Sequence, residues 1–119
     1  MSTPAEIQRF EVGPRMSNAV VHGDTVYLAG VVAADATQDV KGQTTQILSA
    51  IDRLLAQAGT EKSKLLRANI WLTDITTFGQ MNEAWDAWVV PGCTPARATV
   101  ESKLAGAGLL VEIQVIAAR

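Results

Sequence analysis

Apolar and polar residues alternate along this chain in a pattern that predicts six strands and two helices. Apolar and polar residues largely alternate over Ile7–Val12, which indicates a short strand that ends at Gly13-Pro14. Residues 15–21 lead into a second strand, and residues 22–25 form a hairpin turn in which glycine supplies the positive φ. The remaining predicted strands are residues 26–32, 64–72, 95–101 and 109–118.

Two segments have apolar residues at helical spacing instead. The first helix is predicted over residues 42–58, followed by Gly59 as its C-terminal cap, with an inner face of Ile47, Ile51, Leu54, Leu55 and Ala58. The second helix is predicted to begin at Thr76 or Thr77, either of which is a suitable cap, and to run to about Val89. Its predicted inner stripe is Phe78, Met81, Trp85, Trp88 and Val89.

The order β-β-β-α-β-α-β-β predicts an α+β fold, a mixed β-sheet with two helices packed on one face, in a single domain over residues 1–119. Two helices leave the other face of such a sheet uncovered. The C-terminal strand is apolar on both sides, as strands buried on both faces are. We therefore predict a closed homo-oligomer, in which another subunit covers the open face and pockets form at the subunit seams.

Composition and charge narrow the function classes. The net charge is −2 with scattered lysines and arginines, which argues against a nucleic-acid binder with a basic face. No apolar run approaches the roughly 18 residues of a membrane span, and the N-terminus lacks a signal-peptide pattern. One cysteine fits a reducing, cytoplasmic setting, and one histidine with one cysteine leaves no zinc or haem cluster.

Two charged residues lie where the last two strands are predicted to bury apolar surface. Arg97 stands at the start of one strand, and Glu112 lies between Val111 and Ile113 in the other. A carboxylate in an apolar strand is costly unless it is paired, solvated in a cavity or used in chemistry. We expect both side chains, from adjoining final strands, to face one pocket across a crevice that assembly creates.

The guanidinium of Arg97 matches a substrate carboxylate in a bidentate geometry, and Glu112 would handle a proton or a water. An ordinary ion pair remains open for each: Arg97 with Glu101 or Glu83, and Glu112 with Arg97 or a neighbouring subunit. Three further polar residues are candidates for the pocket, although a solvated surface position is the simpler interpretation of each: Asn82 on the second helix, and Arg15 and Ser17 before the second strand.

Three other residues have local features that bear on a site. Gly30 is unusual inside an apolar strand, and it marks a bulge or a place where another group approaches the backbone closely. Cys93 lies in a loop rich in glycine and proline, and a cysteine nucleophile needs a base. The only histidine, His22, is in a hairpin turn, so Cys93 is predicted to be a free thiol.

Several motifs follow one another along nearly the whole chain. Gly13-Pro14 is followed by Ser-Asn-Ala-Val at 17–20 and by Val-Tyr-Leu-Ala-Gly at 26–30. Leu-Thr-Asp at 72–74 and Phe-Gly-Gln-Met-Asn-Glu at 78–83 come next. The most specific motif is Pro-Ala-Arg-Ala-Thr-Val-Glu at 95–101, followed by Val-Glu-Ile at 111–113. In this order they resemble the RidA family, also called the YjgF or reactive-intermediate deaminase family.

The resemblance implies a chorismate-mutase-like α+β fold and a homotrimer whose sheets pack into a central barrel, with three clefts between subunits. It also implies an enamine/imine deaminase, a hydrolase that acts on the C=N bond of 2-imino acids. In this chain Arg97 would bind the substrate carboxylate, Glu112 would place or activate the water, and the backbone of Gly30 would line the cleft. The resemblance implies no metal and no organic cofactor.

Two positions depart from the family pattern: Met16 stands where the family has tyrosine, and Ala29 where it has serine. Both changes remove a hydroxyl group from the predicted cleft, which favours a bulkier or more apolar imino acid, and Arg15 adds a second anion anchor. A non-catalytic trimer that binds carboxylate metabolites remains an alternative. A ribonuclease, an activity attributed to some relatives, is disfavoured by the acidic balance of the chain.

Overall fold

The helices and strands follow the predicted order in the computed structural model, which describes residues 5–119. The first helix, α1, is Val40–Gln57, and the second, α2, is Phe78–Trp88. The strands β1 to β7 are Ile7–Val12, Ser17–His22, Thr25–Leu28, Val31–Val32, Leu65–Leu72, Ala96–Glu101 and Val111–Ala118. No helix among these residues is long and apolar enough to cross a membrane.

All seven strands form one mixed sheet with the order β1-β2-β3-β7-β5-β6, and the short β4 pairs with β7 beside β3. Every pairing is antiparallel except that of β5 with β6, which is parallel. The predicted α+β class is therefore confirmed. The expectation that the last two strands adjoin is wrong, because β5 lies between β6 and β7.

The third predicted strand, residues 26–32, is interrupted in the structure. β3 ends at Leu28 and β4 begins at Val31, so Ala29 and Gly30 form a break between two segments that pair with the same neighbour. The backbone N–H of Ala29 donates to the carbonyl of Asn18 at 3.0 Å, which keeps the break beside β2. The predicted irregularity at Gly30 is thus confirmed as a gap in the strand.

Both ends of α1 have side-chain or backbone caps. The helix begins two residues earlier than predicted because the carboxylate of Asp39 accepts the N–H of Gly42 at 2.8 Å. At the other end Gly59 has φ +85°, a left-handed conformation that favours glycine. The N–H groups of Gly59 and Thr60 then reach the carbonyls of the last turn at 3.1 and 2.9 Å, which confirms the predicted glycine cap.

Thr77 occupies the predicted N-cap position of α2, but its side chain makes no capping bond and its hydroxyl donates to the carbonyl of Asp74 at 2.6 Å instead. The Asp74 carboxylate accepts the hydroxyl and the N–H of Thr76, at 2.6 and 2.9 Å, in a short turn before the helix. Both bonds lower the pKa of Asp74 below its usual value, and the bond from the hydroxyl has the larger effect. In the predicted stripe Met81 and Trp85 are buried, but Phe78 stays 40% exposed because it begins the helix at its edge.

The apolar core lies between the two helices and one face of the sheet. Alternate residues of β7 enter it, namely Val111, Ile113, Val115 and Ala117, all at most 1% exposed. The residues between them are half-buried on the other face, and they include the polar Glu112 and Gln114. The expectation that β7 is apolar on both sides therefore holds only in part, since the open face of the sheet is mixed.

One buried polar side chain connects three segments of the fold. Gln43 of α1 is 0% exposed, and its amide nitrogen contacts the carbonyls of Gln38 at 3.0 Å and Gly108 at 2.9 Å. Its amide oxygen accepts the N–H of Leu110 at 2.9 Å. Gln43 thereby fixes the loop that leads into β7, and with it the start of the strand that contains Glu112.

We expect Gln43→Leu to destabilise the protein by about 2–3 kcal/mol, because a side chain of similar size leaves buried backbone groups without partners. The matched control is Gln57→Leu, the same substitution at an exposed position of α1, which we expect to change stability by less than about 0.5 kcal/mol. Urea unfolding at one fixed protein concentration measures both. Equal effects of the two substitutions would contradict this role of Gln43.

Candidate functional site

Arg97 lies on the helix side of the sheet, against α2. Its Nη1 atom donates to the Oδ1 atom of Asn82 at 2.9 Å. The guanidinium carbon lies 5.6 Å from the centre of the Phe78 ring and 5.2 Å from that of Trp85. A planar cation is attracted to the faces of aromatic rings. The amide and the two rings therefore hold the guanidinium in one orientation, and we call these residues, together with Thr99, the Arg97 cluster.

The ordinary ion pairs proposed for Arg97 do not form within residues 5–119. Glu101 accepts the N–H of Ile75 at 3.1 Å, and Glu83 pairs with Lys41 at 3.3 Å. Arg97 is half-buried, and no carboxylate among these residues lies within ion-pair distance of it. Its charge is thus available to an anion from outside the chain.

Thr99, which is not among the predicted site residues, belongs to the same cluster. It follows Arg97 by two residues on β6, so both side chains lie on the same face of the strand. Its hydroxyl oxygen is buried and has no hydrogen-bond partner among the described residues. The signal that would have found it is this spacing from Arg97, because a buried hydroxyl group normally has a partner.

Glu112 lies on the open face and contacts the break between β3 and β4. A Cβ atom on Gly30 would overlap the carboxyl group of Glu112, so only glycine leaves room for that side chain. Within residues 5–119 Glu112 has neither an ion pair nor a side-chain hydrogen bond. We call Glu112, Gly30 and Ala29 the Glu112 cluster.

The candidates before β2 are more exposed than these two clusters. Arg15 is exposed and Met16 is 53% exposed, in a turn closed by the N–H of Gly13 donating to the carbonyl of Met16 at 2.7 Å. Ser17 is half-buried as the first residue of β2, opposite Val12. Residues 17 and 18 therefore lie next to the break at Ala29.

A cavity of about 310 Å³ opens beside Gly30, and Asn18 and Arg53 are in its wall. Both side chains donate to the carboxylate of Glu11, Arg53 at 2.8 Å and Asn18 at 3.0 Å. Both bonds lower the pKa of Glu11 below its usual value, and the bond from Arg53 has the larger effect. Glu11 has φ +51°, a left-handed conformation that is strained for a residue with a side chain. The two bonds thus hold one wall of the cavity in place, and they do so through a residue whose backbone is strained.

One chain does not bring Arg97 and Glu112 together. Arg97 is opposite the fully buried Ala68, whereas Glu112 is opposite Trp71 on the other face of β5. Trp71 is in turn opposite Val100, three residues after Arg97 on β6. Arg97 and Glu112 are therefore separated by about 10 Å across the sheet, which is two strand spacings, and by about 10 Å along the strands. The expected shared pocket therefore needs a second copy of the chain and stays a prediction.

The sequence and the fold agree on the family. The family model described as Endoribonuclease L-PSP, the family that also includes the YjgF and RidA proteins, matches residues 6–119. The chain belongs to this family. A RutC family protein of Haemophilus ducreyi is 40% identical over 112 residues, which cover 94% of this chain and 96% of that protein. The RutC family protein YoaB of Escherichia coli is 41% identical over 112 residues, covering 94% and 97%.

Solved structures of YjgF-family proteins have the same fold. A member from Neisseria meningitidis superposes with a TM-score of 0.95 at 39% identity, covering 98% of both chains. RidA from an Antarctic Psychrobacter species superposes with a TM-score of 0.82 at 31% identity, covering 91% of this chain and 90% of that one. The resemblance found from the motifs is thereby confirmed for family and fold, while the roles of single residues stay predictions.

We expect Gly30→Ala to destabilise the protein by about 1–3 kcal/mol, because the new methyl group and the Glu112 carboxyl group compete for one space. The cost should fall below about 1 kcal/mol when Glu112→Ala is also present, as coupling between neighbours requires. The control is Gly79→Ala in α2, where a Cβ meets no atom within 4 Å and stability should rise by about 0.5–1 kcal/mol. Urea unfolding measures this cycle, and strictly additive effects would contradict the contact.

Proposed function

We propose that this protein is an enamine/imine deaminase that hydrolyses 2-imino acids to 2-oxo acids and ammonia. The observation that supports the proposal most is the guanidinium of Arg97, which Asn82 and two aromatic rings orient but no carboxylate within residues 5–119 neutralises. Such a group is suited to bind the carboxylate of a substrate through two parallel hydrogen bonds. Membership of the YjgF/RidA family is consistent with this use.

The chemistry needs positioning and one group that handles protons. The oxygen of a water molecule adds to the C=N carbon, and the imine nitrogen takes up a proton. The C–N bond of the resulting amino alcohol then breaks, ammonia leaves with the hydroxyl proton, and the 2-oxo acid remains. In this proposal Arg97 fixes the substrate, and Glu112 accepts the first proton from the water and returns it.

The two groups would meet only between subunits of a homotrimer. Arg97 and Glu112 occupy opposite faces of one sheet, so an Arg97 cluster from one copy must approach the Glu112 cluster of the next. The sheet also has an open face with exposed apolar side chains, which another copy would cover. Among them Ile7, Tyr27 and Val100 are 54%, 45% and 50% exposed.

The substrate class follows from the residues expected around this interface. Met16 and Ala29 offer no hydroxyl group, and Met16 is 53% exposed and flexible. Phe78 beside Arg97 is 40% exposed and adds a further apolar wall. A 2-imino acid with a branched or thioether side chain fits these walls better than the smallest ones, and Arg15 supplies a second positive charge.

A trimer that binds carboxylate metabolites without turning them over is the alternative. It is favoured by the unneutralised guanidinium of Arg97, which is sufficient for binding without a proton-accepting group beside it. The two functions share Arg97 but differ in the need for Glu112. Binding of 2-oxo acids that is lost in Arg97→Ala, without turnover of any imino acid by the wild type, would favour this alternative.

We expect Arg97→Ala to lower the rate of 2-oxo acid formation at least about 100-fold, since it removes the group that orients the substrate. The 2-imino acids are generated in situ from leucine or methionine by an amino-acid oxidase, and the 2-oxo acid is measured over the uncatalysed rate. Arg97→Lys should recover only part of the rate, because an ammonium group cannot bind a carboxylate in the same planar manner.

Two controls make this measurement specific. Lys64→Ala removes one positive charge from an exposed position and should leave the rate unchanged. Glu112→Gln should lower the rate while 2-oxo acid binding persists, because the amide does not accept the proton. Equal rates for the wild type and Arg97→Ala would contradict the proposal.

We expect Ile116→Lys to dissociate the proposed trimer, because it puts a charge in the middle of the open sheet face. Ala56→Lys, at an exposed position of α1, is the matched control and should keep the wild-type mass. Analytical ultracentrifugation measures the mass against three chains of 12.7 kDa. A wild type with the mass of a single chain would contradict the trimer.

A further inference from the structure

A second cavity lies between the two helices, away from the sheet. Its volume is about 320 Å³, and its apolar wall consists of Leu48 of α1 and Ala84, Ala87 and Trp88 of α2. Three charged side chains, Lys41, Lys62 and Glu83, and the hydroxyl groups of Thr45 and Ser49 complete the lining. We call this cavity the interhelical groove. It contains no residue of the Arg97 cluster or of the Glu112 cluster, so the proposed deaminase chemistry does not account for it.

The indole ring of Trp88 is a fixed wall of this groove. Its Nε1 atom donates to the carboxylate of Asp52 on α1 at 3.0 Å. Its ring is also in tilted contact with that of Trp85, with 5.5 Å between the centroids. An aromatic face held at two points offers a rigid surface for a flat apolar group.

Lys62 places a cation over this ring. Its Nζ atom lies 5.2 Å from the centroid of Trp88, and no carboxylate within residues 5–119 lies within ion-pair distance of it. An ammonium group has three hydrogen-bond donors. Its attraction to an aromatic face is electrostatic and does not use up these donors. The donors of Lys62 are therefore available to an anion in the groove.

Lys41 lies at another part of the lining and forms only an exposed ion pair. It pairs with Glu83 at 3.3 Å, and the two side chains are 57% and 63% exposed. Exposed ion pairs of this kind contribute little to the stability of the fold, and their members exchange readily with other partners. A ligand anion can thus compete for Lys41 without breaking a buried contact.

We propose that the interhelical groove binds a small flat aromatic carboxylate. The ring would pack along the apolar wall beside Trp88, and the carboxylate would accept hydrogen bonds from Lys62, which lies over the Trp88 ring. The volume of the groove suits one or two fused rings, since ligand pockets begin at roughly 300 Å³. This site is independent of the proposed deaminase site and would exist in a protein without that activity.

The test is a titration with 1-naphthoate, followed by the indole N–H signals in ¹⁵N–¹H correlation spectra. The chain has three tryptophans, and the spectrum of Trp88→Phe assigns the signal of Trp88. In the wild type we expect this signal to shift in a saturable way. The uncharged 1-naphthamide, which has the same ring, should bind at least roughly tenfold more weakly if the carboxylate contact is real.

Three variants separate the groove from the site of Arg97, which also attracts carboxylates. Lys62→Gln should weaken 1-naphthoate binding at least roughly tenfold, and Lys64→Gln, which removes a neighbouring exposed charge, should not. Ala87→Phe fills the groove from an exposed position and should abolish the shift. Arg97→Ala should leave the shift of Trp88 unchanged.

Each contrary result overturns the proposal. Binding that disappears in Arg97→Ala and persists in Lys62→Gln would assign the ligand to the Arg97 cluster. Equal affinity for 1-naphthoate and 1-naphthamide would show an apolar cleft without anion recognition. The absence of any shift of Trp88 at millimolar 1-naphthoate would show that the groove is not a carboxylate site. The backbone signals of each variant establish that it is folded.

Discussion

The pairing register of three strands decides where Arg97 and Glu112 lie. Side chains that are opposite each other on paired strands share a face, and successive residues alternate between faces. The parallel pairing of β6 with β5 puts Arg97 beside Ala68, towards the helices. The antiparallel pairing of β7 with β5 puts Glu112 beside Trp71, away from them. A shift of either strand by one residue would exchange these faces and would also expose the core.

This geometry leaves several groups of one chain without partners. Arg97 lacks a carboxylate, the buried hydroxyl of Thr99 lacks an acceptor or donor, and Glu112 lacks a cation, all within residues 5–119. Unpaired polar groups near a protein interior are unfavourable unless something outside the chain satisfies them. The proposed assembly would account for all three, because a ligand and another copy would supply the missing partners. The same copy would cover the exposed apolar side chains of the open sheet face.

The sequence was sufficient for features set by neighbouring residues, and insufficient for those set by distant pairing. Helical stripes, the glycine that ends α1 and the irregularity at Gly30 are local, and each was predicted. The position of the α2 cap at Thr77 was predicted, but its missing capping bond was not, because Asp74 is also a good cap and begins a separate short turn before the helix. The face of Arg97 depends on which strand β6 joins, and the sequence does not specify that β5 separates it from β7. Thr99 and Gln43 were missed for the same reason, since their environment consists of distant segments.

Two cations with different chemistry lie at opposite ends of one tryptophan pair. Arg97 contacts Trp85 and Lys62 contacts Trp88, each at 5.2 Å, and the two rings contact each other. Asn82 fixes the plane of Arg97, so this end favours a carboxylate in one orientation. Lys62 is a point charge on a flexible stem, so its end tolerates many orientations of an anion above a flat ring. The strict requirement of a reaction centre thus fits Arg97, whereas Lys62 fits reversible binding, in which the shape of the ring rather than the angle of the carboxylate decides affinity.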